Sequence, residues 1–276
     1  MSHLPPGWDT LDQAARDASF NNNNAVPDSA TLIAERNAAS VPYRAARPQH
    51  LDLRFGDSER EAWDIYPGGD ANAPVLVFIH GGYWQRNRRE DFAALAEGAN
   101  AMGWSVAMNG YSLAPEASLT RIAWQVHAAL DWLSAHGAEH GAAGPIIASG
   151  WSAGGHLAAL AAEHPAVTAA LAISGVYELA PIRDTYLNTA LQLTEAEIAD
   201  LSPMRRPVVQ KPIAVAYGAA ELPELCRQSR DFHWMRAAAQ APGPLIPIPG
   251  ADHFRVLEAF RQPDGMLLRA AAALLV

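Results

Sequence analysis

Past residue 50 the hydrophobic pattern settles into a regular alternation of short and long segments. Short β-type runs fall at about 51–55, 61–66, 75–80, 104–109, 145–149, 169–174, 212–217 and 243–248. Helical periodicity fills about 90–102, 118–136, 153–164, 224–239 and 263–275. Several later runs, Val75-Leu-Val-Phe-Ile, Ala170-Leu-Ala-Ile and Ile213-Ala-Val-Ala-Tyr among them, are apolar throughout. Continuous apolarity predicts strands covered on both faces, as in a parallel sheet flanked by helices. The first two runs instead alternate and are separated by Gly56 and Asp57, which predicts an antiparallel hairpin at the sheet edge. Strands alternating with helices imply right-handed crossovers and one open, doubly wound, mostly parallel sheet of the α/β class.

Two regions stand outside that alternation. Residues 1–48 hold helical patterns at 9–18 and 27–39 before the sheet begins, and read as an N-terminal helical extension. Residues 178–207 follow the sixth strand and contain a helical turn or two at Thr194–Leu201. An insertion there lies above the C-terminal strand ends, where open α/β sheets bind ligands, so it reads as a small cap. The expectation is a single domain over 1–276. The tract Asn21–Asn24 reads as a polar turn or helix cap.

Composition narrows the function. The net charge of −9 makes nucleic acid and anionic membranes poor partners. No stretch approaches the roughly 18 unbroken apolar residues of a membrane span. The N-terminus shows no basic-then-apolar leader pattern. The single cysteine, Cys226, excludes an internal disulfide framework and a cysteine zinc site, and fits a reducing, cytoplasmic setting. Cys226 falls in the predicted 224–239 helix and reads as inert packing. Lys211 is the only lysine, and its Gln-Lys-Pro-Ile context suits neither a Schiff base nor a phosphate loop.

The candidate chemistry is that of a serine nucleophile. Gly150-Trp151-Ser152-Ala153-Gly154 follows one apolar run and precedes an alanine-rich helical segment, the setting a nucleophile elbow requires. The turn is so sharp that side chains at the two glycines would collide with neighbouring backbone. It holds Ser152 strained and exposed at a helix start, where the dipole favours developing negative charge. His80-Gly81-Gly82-Tyr83-Trp84 follows the 75–80 run, and glycines there let backbone N–H groups turn toward an oxyanion. Gly81, Gly82 and Ala153 are the expected donors, and His80 is expected to brace the loop. Of ten histidines, His253 hangs just after the last strand, where a base can reach a serine above the sheet. His156 reads as a packing residue. The acid is expected after the seventh strand. Glu221 on the loop is preferred to Glu224, which begins the helix, and to Asp252, whose side chain diverges from its neighbour His253. No metal or organic cofactor is called for. A catalytically dead ligand-binding module is the rival of another class, but its mark would be a broken triad.

These residues resemble the α/β-hydrolase superfamily, within it the branch of lipases and esterases with a His-Gly-Gly loop. More narrowly, His80-Gly-Gly-Tyr-Trp is similar to a signature of the kynurenine formamidases (arylformamidases) of animals and fungi. Phe20-Asn-Asn-Asn-Asn-Ala-Val-Pro-Asp and Glu221-Leu-Pro-Glu-Leu-Cys-Arg-Gln-Ser are similar to segments of bacterial relatives. The resemblance implies that the acid stands at Glu221, where aspartate is common in the family and glutamate is a departure. It implies metal-independent hydrolysis of a small acyl group, formyl or acetyl, from an aromatic amine. N-formylkynurenine is then the first candidate, and a short-chain carboxylesterase the alternative. Tyr83, Trp84, Trp151, Tyr177 and Phe254 flank the predicted loops and suit a flat aromatic leaving group, although Trp84 and Trp151 serve equally well as core fillers. Oligomeric state is not fixed by any sequence feature, and a homodimer stays an open expectation.

Overall fold

The computed structural model describes residues 4–276; the first three residues of the predicted 1–48 extension lie outside it. The strands are β1 (Leu53–Arg54), β2 (Ala62–Tyr66), β3 (Val75–Ile79), β4 (Ser105–Asn109), β5 (Ile146–Trp151), β6 (Val167–Ile173), β7 (Ile213–Gly218) and β8 (Leu245–Ile248). They form one eight-stranded sheet in the order β1-β2-β4-β3-β5-β6-β7-β8. β1 with β2 and β2 with β4 are antiparallel, and every other pairing is parallel. This is the α/β-hydrolase fold, with helices on both faces and further helical elements above one edge.

Period-two side-chain alternation explains why the strands are apolar without interruption. Val75, Val77 and Ile79 of β3 face a core shared with Leu119, Ile122, Val126 and Leu130 of the helix Leu119–His136 and Leu157 of the helix Ala153–Ala161. Leu76 and Phe78 face the opposite core, with Phe92, Leu95, Phe260, Leu267 and Leu268. Each residue of β3 therefore meets a helical layer, and none faces water.

Register places the chemistry. Ile79 of β3 pairs with Gly150 of β5, Trp151 with Ile173 of β6, and Gly218 of β7 with Ile248 of β8. The segments that follow these residues therefore leave the sheet along one edge, and they carry Gly81, Ser152, Ser174, Glu221 and His253.

Three sequence expectations need adjustment. The helix expected over 27–39 runs Ser29–Ala45, continuing past Pro42. Its last turn is held from outside, by the Tyr43 ring at 5.4 Å from Tyr66 and by the Arg44–Asp64 ion pair at 2.7 Å. The helix expected over 90–102 is a 3-10 helix at Arg89–Leu95 followed by an α-helix at Ala96–Ala101, its start capped by Asp91 on the Arg88 N–H. The 178–207 insertion carries four short helical pieces rather than one or two turns. Thr194 and Glu197 form a capping box at the third of them.

The N-terminal segment is a strap across the same edge. Trp8 Nε1 donates to Asp184 Oδ2 at 2.9 Å, and the Tyr186 N–H donates to Asp17 Oδ1 at 2.8 Å, tying it to the insertion. Asp28 pairs with Arg255 at 2.5 Å, tying it to the segment that carries His253. Among the described residues no helix is long and apolar enough to cross a membrane.

Phe78 sits between Phe92 and Phe260, with ring centroids at 5.5 and 5.8 Å. Phe78→Ala is expected to lower unfolding free energy by about 3–5 kcal/mol, the range for emptying an aromatic site in a core. Chemical denaturation of the purified variant checks this, and a loss under about 1 kcal/mol would mean the second core is not packed as described.

Candidate active site

The elbow forms because two glycines admit backbone contacts that no other residue allows. A Cβ on Gly154 would stand 1.9 Å from Ile79 O, and one on Gly150 would stand 2.1 Å from Gly154 O. The helix Ala153–Ala161 thus starts almost on top of β3 and β5. Ser152, between strand and helix, is left at φ 59° and ψ −122°, a strained conformation for a non-glycine residue.

Ser152, His253 and Glu221 meet above the strand ends. Ser152 Oγ lies 3.1 Å from His253 Nε2, and His253 Nδ1 lies 2.8 Å from Glu221 Oε2. The carboxylate can only accept, so Nδ1 carries the proton and Nε2 is free to receive one from Ser152. The second oxygen of Glu221 accepts from the Ser174 hydroxyl and from the Gly218 N–H at 2.7 Å. All three residues are buried. The indole of Trp151 fixes the histidine from beneath: Nε1 donates to His253 O at 2.8 Å, and the rings lie 4.8 Å apart.

The other two acid candidates are occupied elsewhere. Glu224 accepts from Arg227 at 2.7 and 2.8 Å and from Gln228 at 2.9 Å. Asp252 accepts from the Phe254 and Arg255 N–H groups at 2.9 Å, which turns it away from the imidazole.

The His80–Trp84 loop packs directly on the nucleophile. A Cβ on Gly81 would stand 2.8 Å from Ser152 Cβ. Gly82 has φ 115°, which glycine adopts freely, and Tyr83 and Trp84 follow with φ 49° and 58°, so the loop is strained at two successive non-glycine residues. Gly81 O accepts from His80 Nδ1 at 2.9 Å and from Asn87 Nδ2 at 3.0 Å. Since a trans peptide points C=O and N–H in opposite directions, this carbonyl anchor turns the Gly82 N–H the other way. Tyr111 donates to His80 O at 2.7 Å and stacks on its ring at 4.2 Å. His80 is a brace, as the sequence suggests.

Burial pushes the His80 imidazole down to about 3 and that of His156 down to about 4. His156 donates from Nε2 to Leu201 O at 2.7 Å and packs against Trp84 at 5.0 Å, so it is a packing residue. Cys226 is buried and its thiol is pushed up by burial and by Glu221. His164 is buried with Nε2 at 3.0 Å from Asp131 Oδ1.

A cavity of about 60 Å³ opens on Ser152 and His253. Tyr83, Trp151 and Phe254 line it, together with Asn22, Arg36, Arg86 and Asn87. Trp84 and Tyr177 do not. Trp84 is fully buried against His156, and Tyr177 is buried in a 4.4 Å stack on Phe232. Both are core residues beneath the site. A larger groove of about 570 Å³ adjoins the cavity and shares Ile33, Arg36 and Phe254 with it. Sequence reasoning passed over Ser174, Asn87, Asn22 and Arg36. Only Asn87 carried a local hint, as asparagine tolerates the left-handed backbone it adopts here, φ 72°.

A buried Ser-His-Glu triad on this sheet defines a serine hydrolase. The BD-FAE family matches residues 63–197, just under half of the chain. The kynurenine formamidase of Danio rerio is 28% identical over 235 residues, which are 79% of this chain and 79% of that protein. Esterase LipC of Mycobacterium tuberculosis is 30% identical over 243 residues, 75% of this chain and 60% of that protein. The crystal structure of esterase LipW from Mycobacterium marinum superposes with a TM-score of 0.72 at 18% identity, covering 98% of this chain and 97% of that one, a likeness of fold. The chain has the α/β-hydrolase fold, and the proteins to which it is similar include esterases and a kynurenine formamidase.

Two outcomes are expected. Glu221→Gln, which keeps shape but favours the wrong imidazole tautomer, is expected to lower kcat by about 10⁴-fold, whereas Glu224→Gln stays within a few-fold. Steady-state kinetics on an activated aryl ester decides between them. The second concerns pH. His80 and His156 bind protons more weakly folded than unfolded, where they return to about 6.5. Their contribution to stability is present above about 6.5 and is lost as pH falls toward about 4. NMR titration of the two rings should show no protonation between pH 8 and about 5; an inflection near the free-histidine value would contradict their burial.

Proposed function

We propose that the protein is a metal-independent hydrolase that removes a small acyl group, formyl or acetyl, from an aromatic amine, with an N-formylkynurenine-type amide as the first substrate to try. The observation that carries the reading is the size and lining of the cavity at Ser152. About 60 Å³ between Tyr83, Trp151 and Phe254 has room for an acyl group of one or two carbons and presents flat apolar walls to an aromatic leaving group. Similarity to the kynurenine formamidase of Danio rerio supports the amide.

In this reading His253 takes the Ser152 proton at Nε2 as Oγ attacks the carbonyl carbon. The N–H groups of Gly81, Gly82 and Ala153 receive the oxyanion; among the described residues those of Gly82 and Ala153 donate to no protein acceptor. The C–N bond breaks as His253 returns the proton to the departing amine. Water, deprotonated by His253, then cleaves the acyl-serine ester and releases formate or acetate. Glu221 stays ionised and stabilises the imidazolium throughout.

A short-chain carboxylesterase is the second reading, supported by the likeness to esterase LipC. A panel of formyl, acetyl, butyryl and octanoyl anilides and the matching phenyl esters separates the two. Formyl and acetyl substrates are expected to exceed octanoyl ones by at least about 100-fold in kcat/KM. An ester preference of several orders over the formyl anilide would leave only the esterase reading. Ser152→Ala is expected to abolish turnover of every member.

A further inference from the structure

The charge around the nucleophile runs against the charge of the molecule. The chain carries a net −9, yet no aspartate or glutamate lines the cavity at Ser152, while Arg36 and Arg86 both do. Neither guanidinium is held in an ion pair, although Asp91 acts on Arg36 from beyond contact distance. Arg36 donates through Nε and Nη2 to Asn37 Oδ1 at 3.1 and 2.8 Å and lies 4.0 Å over the Phe92 ring. Among the described residues neither arginine has a carboxylate partner within ion-pair distance. A half-buried guanidinium left without an anion has surrendered part of its hydration without replacing it, and a ligand carboxylate would replace it with charge-assisted, two-pronged hydrogen bonds.

A second observation concerns a neutral group on the same wall. Asn22 is 4% exposed, and its Nδ2 donates to the Tyr83 hydroxyl at 3.1 Å. That hydroxyl spends its own proton on Phe20 O at 2.7 Å, so it can only accept from Asn22, and the amide orientation is fixed. Asn22 Oδ1 is then a buried acceptor with no partner. Such an atom is unfavourable in a resting protein and favours a ligand that brings an N–H to it.

We propose that Arg36 and Arg86 bind a carboxylate on the leaving-group side of the substrate, and that Asn22 Oδ1 accepts from an N–H of the same molecule. The enzyme is thereby selective for anionic aromatic amides over neutral ones. The proposal rests on the hydrolytic reading above and adds to it a specificity that the catalytic residues do not supply. Arg86 belongs to the loop between Gly82 and Asn87, so the group that reads the anion and the groups expected to hold the oxyanion share one short segment.

The test uses a pair of the same shape, 3-formamidobenzoate and 3-formamidobenzamide, in which the negative charge is removed and one acceptor oxygen becomes an NH2 donor. The wild-type protein is expected to prefer the anion by at least about tenfold in kcat/KM, chiefly through KM, with the preference shrinking as salt is raised. Arg36→Gln and Arg86→Gln should each collapse the anion-to-neutral ratio, and Arg36→Lys should restore part of it. Asn22→Asp, which places a negative charge on the same wall, should reverse the preference. A wild-type ratio near one, or a ratio unchanged in both glutamine variants, overturns the proposal while turnover of the pair leaves the hydrolytic reading intact. Arg86 is exposed, so Arg86→Gln remains informative even if Arg36→Gln folds poorly against Phe92. If neither compound is turned over, calorimetry with benzoate and benzamide decides the matter. Benzoate selectivity that is lost in the Arg86→Gln protein upholds the anion site and sinks the hydrolytic reading; equal binding of the two sinks both.

Discussion

The site depends on one close contact, that between the first turn of the helix Ala153–Ala161 and the ends of the central strands. Gly154 lies against Ile79 O, Gly155 against Ile173 O, and Gly150 against Gly154 itself, each closer than a side chain permits. Without that approach the chain would have room to relax between strand and helix, and Ser152 would leave its strained conformation. With it, the nucleophile is fixed in the frame of the sheet, and the loops carrying His253, Glu221 and Gly81 need only leave neighbouring strands in register to reach it. Strain at the serine is thus sustained by the apolar packing of both sheet faces.

Much of this was legible in the sequence. All eight strands appear as apolar or alternating runs; β2 alternates although every residue in it is buried, because its Asp64 is held in ion pairs with Arg44 and Arg89. The edge hairpin was legible from Gly56 and Asp57 between two alternating runs. Ser152 and His253 were legible because each stands at a strand end marked by glycine, where the local chain direction alone puts a side chain above the sheet. Glu221 was separable from Glu224 on the same ground: one lies on a loop, and the other is committed to its own helix through Arg227 and Gln228.

What escaped was set by contacts between distant segments. Ser174 is an ordinary serine after β6 until β7 brings Glu221 beside it. The Asn21–Asn24 tract does cap a helix through Asn21, as its composition suggests, but Asn22 is drawn under Tyr83, sixty-one positions away. Arg36 belongs to a helix that precedes the sheet, and nothing in its periodicity says that this helix lies along the cavity. The aromatic residues divide for the same reason. Tyr83 and Trp84 are adjacent, and only the consecutive left-handed backbone of the loop sends one to the cavity wall and the other into the core.

The strap formed by the N-terminal segment has a consequence for how the molecule is made. Trp8 docks on Asp184, Asn22 on Tyr83 and Asp28 on Arg255, so the strap is made well before the partners that hold it, which are spread over the residues from Tyr83 to Arg255. Domains emerge from the ribosome N-terminal end first, and contacts of such long separation close late. Phe20, Val26 and Trp8, all buried in the finished fold, must therefore remain uncovered, or be sheltered by another molecule, until the segments that cover them have been made. The cavity at Ser152 takes Asn22 and Arg36 from the strap and His253 and Phe254 from the segment beside Arg255, so it is closed only when those two distant stretches have met.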